Sequence, residues 1–286
     1  MINARARLGS KHEREIRDAF AAADWEVLSA PLDGRAAADI IEEVREPFDV
    51  AVVGGGDGTI MKSLGAFVGR STPLGIIPLG TFNDLARALE IPLRPAAAVE
   101  TIVSGRRQAI DVGCVNGQYF LTEASIGIST HIARRQTPEI KRFLGLASAV
   151  ATTVTTIWHA RPFAVSVSHD GEDERFKTIQ LTVANSFHFG GLVTNRTASL
   201  DDGKLELYSL RVQRWSDIFR LVGPILKREV RDSAAVAMRS STRFEVRTRR
   251  PRAIVADGEP VAMTPAEFKV LPHAITICVP GSEPRP

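Results

Sequence analysis

An α/β domain followed by a mainly β domain is the fold class that this sequence predicts. Two observations carry the prediction. The first third of the 286 residues alternates helical and strand-like apolar patterns, and from about Asp111 onward strand-like runs replace them. The boundary falls near Gln108–Asp111, giving an α/β domain over 1–110 and a β domain over 111–286.

Taken in order, 13–23 places Ile16, Phe20 and Ala23 on one helical face, and Trp25 to Ala30 reads as a strand. A second cycle has a helix over 35–46, a buried strand over 48–53, a glycine turn, and a helix carrying Met61, Leu64 and Val68. A third strand, 74–78, ends in another turn and a short helix over 84–89. Strands alternating with helices pair in parallel, and ligands of such sheets bind at the carboxyl ends of the strands, where both glycine turns lie. In the second domain the strand-like runs are 119–122, 163–168, 178–184, 205–210, 244–247 and 274–279. Helical insertions are expected over 139–156 and 215–230, the latter kinked by Pro224, with its apolar face either packed on the β domain or turned to a membrane. The last residues could return to the first domain.

A composition of 44% hydrophobic and 24% charged residues is that of a globular protein with a sizeable core. No run is long enough to cross a bilayer, and Met1-Ile2-Asn3-Ala4-Arg5 lacks the apolar stretch of a secretory signal, which predicts a cytoplasmic protein. Cys114 and Cys278 sit in apolar runs as small buried hydrophobes, with no disulfide or zinc pattern. The net charge is +3, yet basic residues cluster at Arg134-Arg135, Lys141-Arg142, Lys227-Arg228 and Arg247 to Arg252, as ordinary solvated faces or as one basic surface. Nucleic acid is disfavoured, because aromatics do not interleave with these cations and no binding motif accompanies them. The histidines form no catalytic set with a serine or cysteine nucleophile.

The sharpest chemical signal is Gly54-Gly55-Gly56-Asp57-Gly58-Thr59, directly between a buried strand and a helix. Glycines there let backbone N–H groups approach an oligophosphate, and the helix start adds a favourable dipole. The spacing is neither the dinucleotide fingerprint nor a Walker A loop. A tight turn with Asp57 as helix cap is the plainer reading, but four glycines around one aspartate exceed what a cap needs. A carboxylate beside phosphates is repelled unless a cation lies between, so Asp57 implies Mg²⁺. The second signal, Pro78-Leu79-Gly80-Thr81-Phe82-Asn83-Asp84, ends the next strand and offers a hydroxyl, an amide and another acid, or simply a capped helix start.

Together these two turns resemble the diacylglycerol-kinase catalytic-domain family, to which sphingosine, ceramide and bacterial lipid kinases belong. The resemblance continues through Asp111-Val112-Gly113, Ser125-Ile126-Gly127-Ile128, Val183-Ala184-Asn185, Gly190-Gly191, Asp201-Asp202-Gly203-Lys204-Leu205-Glu206-Leu207 and Asp257-Gly258-Glu259, in family order over essentially the whole chain. It implies an α/β nucleotide-binding domain and a larger C-terminal β-sandwich, with ATP and a lipid meeting in the cleft between them. It implies that Gly54, Gly55, Gly56, Asp57, Gly58, Thr59, Thr81 and Asn83 hold ATP, and that Asp57, Asp84 and Asp111 form the acidic network around the catalytic Mg²⁺. The turn 199–204 would bind a structural Mg²⁺ through the Asp202 side chain and the carbonyls of Ser199 and Lys204, where a hairpin turn is the plainer reading. Asp257 or Glu259 would be the base that takes the proton of the lipid hydroxyl. The partners implied are a lipid with an open hydroxyl and, transiently, a membrane surface, with a homodimer through the β domain as a family-based expectation.

Departures from the family pattern are Phe82 where a small residue is usual, Ala30 where many members carry a nucleotide-contacting threonine, and Asn195-Arg196-Thr197 where proline is common. Asn3-Ala4 replaces the usual Asn-Pro behind a short opening strand, suggesting a family start further upstream. Two rivals remain at this stage. An NAD kinase shares Gly-Gly-Asp-Gly-Thr but not the Leu-Gly-Thr-x-Asn-Asp turn or the late Asp-Gly-Glu, and a non-catalytic binding regulator would keep the fold without turnover.

Overall fold

The structure is a computed structural model that describes residues 1, 9–30, 35–81, 83–128, 161–185, 188–189, 193–194, 200–210 and 236–281. In chain order its elements are α1 (Gly9–Ala22), α2 (Ala37–Glu43), β1 (Ala51–Gly55), α3 (Asp57–Ser63), β2 (Leu74–Pro78), α4 (Asp84–Ala88), α5 (Pro95–Ser104) and β3 (Arg106–Val115). Strands β4 (Gln118–Phe120), β5 (Glu123–Gly127), β6 (Phe163–His169), β7 (Glu172–Thr178), β8 (Gln180–Ala184), β9 (His188–Phe189), β10 (Val193–Thr194) and β11 (Leu205–Leu210) follow. The chain continues through β12 (Val236–Ser241), β13 (Arg243–Thr248), β14 (Ala253–Ala256), β15 (Glu259–Met263) and β16 (Ala266–Val279). It divides into two compact units, Met1–Val112 with Leu271–Pro286, and Gly113–Val270.

In the first unit β1 and β2 run parallel in the register Ala51↔Leu74 to Gly55↔Pro78, and the end of β16 pairs parallel with β2 at Ile277↔Leu74. β2 is buried at every position, as expected of a strand covered on both faces. Ile16 and Phe20 of α1 and Val99 and Ile102 of α5 pack with Ile77, Leu79 and Cys278 into one core cluster. The α5 helix was not anticipated from the sequence. Its signals are Pro95 at the first helical position and buried Ala98, Val99 and Ile102 at helical spacing, diluted by a run of alanines.

The strand expected over 25–30 does not form. Trp25 turns back on Phe20, with its N–H on the Phe20 carbonyl and ring centroids 6.1 Å apart, and Val27 and Leu28 are exposed. Among the described residues no strand pairs with this segment, and an unpaired strand leaves its backbone groups to water. The helix expected over 35–46 is shortened to α2, because Val44 is extended and Pro47 follows. The strand expected over 48–53 begins and ends later, so that β1 runs into the glycines themselves.

The second unit is a β-sandwich. One of its sheets has the order β12-β11-β8-β5-β14-β15, and the other contains β13 between β6 and the first half of β16, with β7 at the edge. Inward positions alternate along the strands: Phe163, Val165 and Val167 of β6 and Phe244 and Val246 of β13 are buried, as is Phe268 of β16. Two hairpins close on two-residue Asx-Gly turns with both φ angles positive, Asn116-Gly117 between β3 and β4 and Asp170-Gly171 between β6 and β7. Asp257-Gly258 does the same between β14 and β15. The insertions expected over 139–156 and 215–230 lie outside the described residues, as do His131, Gly190-Gly191, Asn195-Arg196-Thr197 and the basic pairs at 134–135, 141–142 and 227–228.

Ile77 is fully buried at the centre of the α1–β2–α5 cluster. Ile77→Ala should lower the unfolding free energy by about 2–5 kcal/mol, read as a reduced urea midpoint at unchanged slope.

Candidate active site

In the first unit the parallel register sets Gly54 beside Ile77 and Gly55 beside Pro78, so the turns after β1 and β2 leave the sheet side by side. The Leu79 N–H donates to the Gly55 carbonyl at 2.8 Å, extending the ladder into the turns. Beyond it the two backbones touch. A Cβ on Gly80 would lie 2.5 Å from the Gly56 Cα, and a Cβ on Gly55 would lie 2.5 Å from the Thr59 Cβ. Gly55, one of the glycines read as a phosphate approach, is thus also needed for its turn to pack on the first turn of α3, and Gly80 for the two turns to pack on each other.

Polar bonds hold this arrangement. Asn83, buried and in the left-handed region at φ 53°, accepts the Gly80 N–H on Oδ1 at 2.9 Å and donates from Nδ2 to the Gly80 carbonyl at 3.2 Å. The carboxylate of Asp57, first residue of α3, accepts the Leu85 N–H at 3.3 Å and so caps α4 from the neighbouring loop. Asp57 therefore does not cap its own helix, the plainer role that the sequence allowed. Gly56, Asp57, Gly58 and Thr59 are half-buried, and Thr81 is exposed. Asp84 opens α4, but its side chain, like Phe82, lies outside the described residues. Asp111, wholly buried in β3, accepts the backbone N–H of His273 at 2.9 Å, where β16 turns through a positive φ.

A cavity of ≈ 560 Å³ also lies in this unit, lined by Phe20, Trp25, Ile40, Phe48 and Val50, with Ala30 at its wall. Among the described residues, none of 54–59, Gly80, Thr81 or Asn83 lines it.

In the second unit Asp257 stands in the β14–β15 turn with its carboxylate directed at the start of β5. Oδ2 accepts the Leu121 N–H at 2.8 Å, and Oδ1 accepts the N–H groups of Thr122 at 3.0 Å and Glu123 at 2.9 Å together with the Thr122 hydroxyl. Its own N–H donates to the Glu123 carbonyl at 2.9 Å. Burial pushes the carboxyl above its usual range, opposed by the Thr122 hydroxyl and by the three backbone N–H groups. Asn185 closes on the same segment, its side chain donating to the Leu121 carbonyl at 3.2 Å. Sequence reasoning missed Thr122 as a partner of Asp257 and Asn185 as a partner of the Leu121 carbonyl, since nothing local in the chain joins positions so far apart. Glu259, two residues on, is exposed.

Asp202 is exposed, and its Oδ1 accepts the Lys204 N–H at 2.9 Å around Gly203, which has φ 67°. Ser199 lies outside the described residues. Among the described residues, one group brings three metal-competent side chains together, His169, Glu172 and Glu174 on the β6–β7 hairpin. Arg239 holds Glu174 there at 2.5 Å. No helix among the described residues is long and apolar enough to cross a membrane.

Asp257→Asn keeps the shape but replaces an acceptor oxygen by an NH₂ facing backbone N–H donors. It should destabilise the second unit by about 1–3 kcal/mol in chemical denaturation, with Glu259→Gln close to neutral in the same measurement.

Comparison with known proteins agrees with this architecture. Residues 2–115 match the model of the diacylglycerol kinase catalytic domain, and residues 122–279 match the YegS C-terminal NAD kinase beta sandwich-like domain. The chain is 29% identical to a "Diacylglycerol kinase" of Bacillus subtilis (strain 168) over 94% of its own length and 91% of the relative's. It is 30% identical to a "Probable lipid kinase YegS-like" of Pseudomonas aeruginosa (strain UCBPP-PA14), over 88% of this chain and 83% of that one. Among solved structures, the "Crystal structure of a putative diacylglycerol kinase from Bacillus anthracis str. Sterne" superposes with a TM-score of 0.81 at 26% identity, covering 97% of this chain and 93% of that one. With both units matched in order along the chain, this protein belongs to the diacylglycerol kinase catalytic-domain family of lipid kinases.

Proposed function

We propose that the chain is an ATP-dependent kinase that transfers the γ-phosphoryl group of ATP to a hydroxyl of a lipid such as diacylglycerol. The observation that carries this reading is the coupling of the two glycine turns, in which Gly56 and Gly80 meet backbone to backbone and Asp57 bonds across to Leu85. Such a surface offers backbone N–H groups with no side chain in the way, together with a half-buried carboxylate, which suits an oligophosphate carried with a divalent cation.

In this reading residues 54–59, Thr81 and Asn83 receive the ATP phosphates. Asp57 and Asp84 supply hard oxygen donors for Mg²⁺, and Asp111 supports them by fixing the bend at His273. Asp202, with the carbonyls of Ser199 and Lys204, is the proposed seat of a second, structural Mg²⁺. When bound, Mg²⁺ neutralises charge on the phosphates.

The proton of the acceptor hydroxyl goes to Glu259. Both Asp257 oxygens are taken up by donors from residues 121–123, so Asp257 fixes the turn that presents Glu259, whose exposed carboxylate is open to a substrate. As the lipid oxygen bonds to the γ-phosphorus, the bond to the β-phosphate oxygen breaks and ADP leaves.

The test is Mg²⁺-dependent transfer of γ-labelled phosphate from ATP into extracted total lipids. Glu259→Gln should lower kcat by about 10²–10⁴-fold with the KM for ATP little changed, and Asp57→Ala should lower kcat/KM for ATP. ATP binding without label entering any lipid, or NAD, would point instead to a regulator that keeps the fold without turnover.

A further inference from the structure

We infer that the β6–β7 hairpin of the second unit binds a zinc-type divalent transition-metal ion through His169, Glu172 and Glu174. Each offers one ligand atom, and these atoms lie within 4.8 Å of one another. The hairpin register sets His169 directly opposite Glu172, with Glu174 two positions on, opposite Val167. Directly opposed and alternate residues share a face, so all three stand on the face that carries the buried Val165 and Val167. The tight Asp170-Gly171 turn therefore fixes the grouping.

The state of the His169 ring points to a ligand. It is 9% exposed and packs against Phe244, with ring centroids 5.6 Å apart. Nδ1 is buried and makes no hydrogen bond, with Asp170 Oδ2 at 3.5 Å. Nε2 stands 3.4 Å from Glu174 Oε1, longer than a good N–H···O bond. Two ligands each about 2.0 Å from one tetrahedral ion stand about 3.3 Å apart, so this spacing suits a shared metal better than a shared proton. An ion on Nε2 also accounts for the other nitrogen. It leaves the ring proton on Nδ1, directed at Asp170, the arrangement in which a carboxylate supports a metal-bound imidazole. Asp170 is itself held, because its Oδ1 accepts the Ser241 hydroxyl at 2.9 Å.

Arg239 donates to Glu174 Oε1 at 2.5 Å. That bond orients the ligand without excluding the ion, since a carboxylate has two oxygens and about four lone-pair sites. Arg239 and Ser241 come from β12 in the opposite sheet, so the ion would fasten the two sheets of the sandwich at this end. One imidazole with two carboxylates favours Zn²⁺ over Mg²⁺ and Ca²⁺, which take oxygen ligands. The site is separate from the Mg²⁺ seats of the kinase reading and does not rest on that reading.

The experiment is isothermal titration calorimetry of Zn²⁺ into the full chain, without a histidine tag, after EDTA treatment and removal of the chelator. Wild type should take up Zn²⁺ in the presence of Mg²⁺. His169→Gln and Glu172→Gln should each weaken that binding by about a hundredfold or more, against about 10–100-fold for Asp170→Asn, which loses only the support of Nδ1. His12→Gln, which removes the ring beside Glu15 on α1, should leave it unchanged. Glu172 is exposed, so its variant keeps the test available if His169→Gln fails to fold. In thermal unfolding, Zn²⁺ should raise the midpoint of wild type and not that of Glu172→Gln. Failure of wild type to bind Zn²⁺, displacement of the bound Zn²⁺ by an equal concentration of Mg²⁺, or undiminished binding by a folded His169→Gln or Glu172→Gln variant would overturn the inference. None of these measurements involves ATP or lipid, so a chain that binds Zn²⁺ here without transferring phosphate counts against the kinase reading alone.

Discussion

The backbone contact between Gly56 and Gly80 is the constraint on which the candidate site depends. Two parallel strands stand about 4.8 Å apart, so turns leaving their ends compete for the same space. A side chain at Gly80 would drive them apart, since its Cβ would fall 2.5 Å from the Gly56 Cα, and one at Gly56 would press to 3.1 Å from the Gly80 Cα. Once the turns touch, Asn83 can bond both polar groups of Gly80, and the Asp57 carboxylate can reach the first turn of α4. The glycine-rich composition therefore serves packing first. The side-chain-free surface above it is the consequence that a phosphate can use.

The second unit solves a similar problem with charge. A carboxylate taken from water is costly unless donors replace the lost hydration. At Asp257 those donors are three consecutive backbone N–H groups and one hydroxyl, all from residues 121–123, while the turn's own N–H bonds back to Glu123. The left-handed φ of 44° at Asp257 is tolerated because an aspartate followed by glycine suits a two-residue hairpin turn. Fixing this residue from several directions leaves Glu259 as the carboxylate of the motif that remains exposed, and the two acids have different surroundings although they lie two positions apart.

What could be read in advance follows from the range of the forces involved. β2 and β11 were legible to the residue because each is an apolar run bounded by residues that break a strand, Pro73 and Pro78 around one and Gly203 before the other. The segment 25–30 carried a similar pattern and did not become a strand, because strand formation also needs a neighbour to receive the backbone groups. The two glycine turns were legible as turns at the carboxyl ends of β1 and β2, since their composition is local. Their contact was not, because it depends on strand register. The bonds from Asp257 to residues 121–123 span more than 130 positions, and no local signal carries them.

Charge shows the same division between composition and arrangement. A net charge of +3 over the chain suggests little, and a cluster at 247–252 has solvated faces as its ordinary explanation. The alternation of a β-strand changes this, because residues two apart in sequence share a face and residues from other strands are laid beside them. Arg247 thereby gains Arg175 across Ser166 as a neighbour on the same face, whereas Arg252 lies 3.9 Å from the centre of the Phe163 ring. Residues that look alike in a basic run are separated by the fold into an exposed array and a packing contact. Like charges gathered without counter-ions repel one another, and the cost is small only because water and salt screen them.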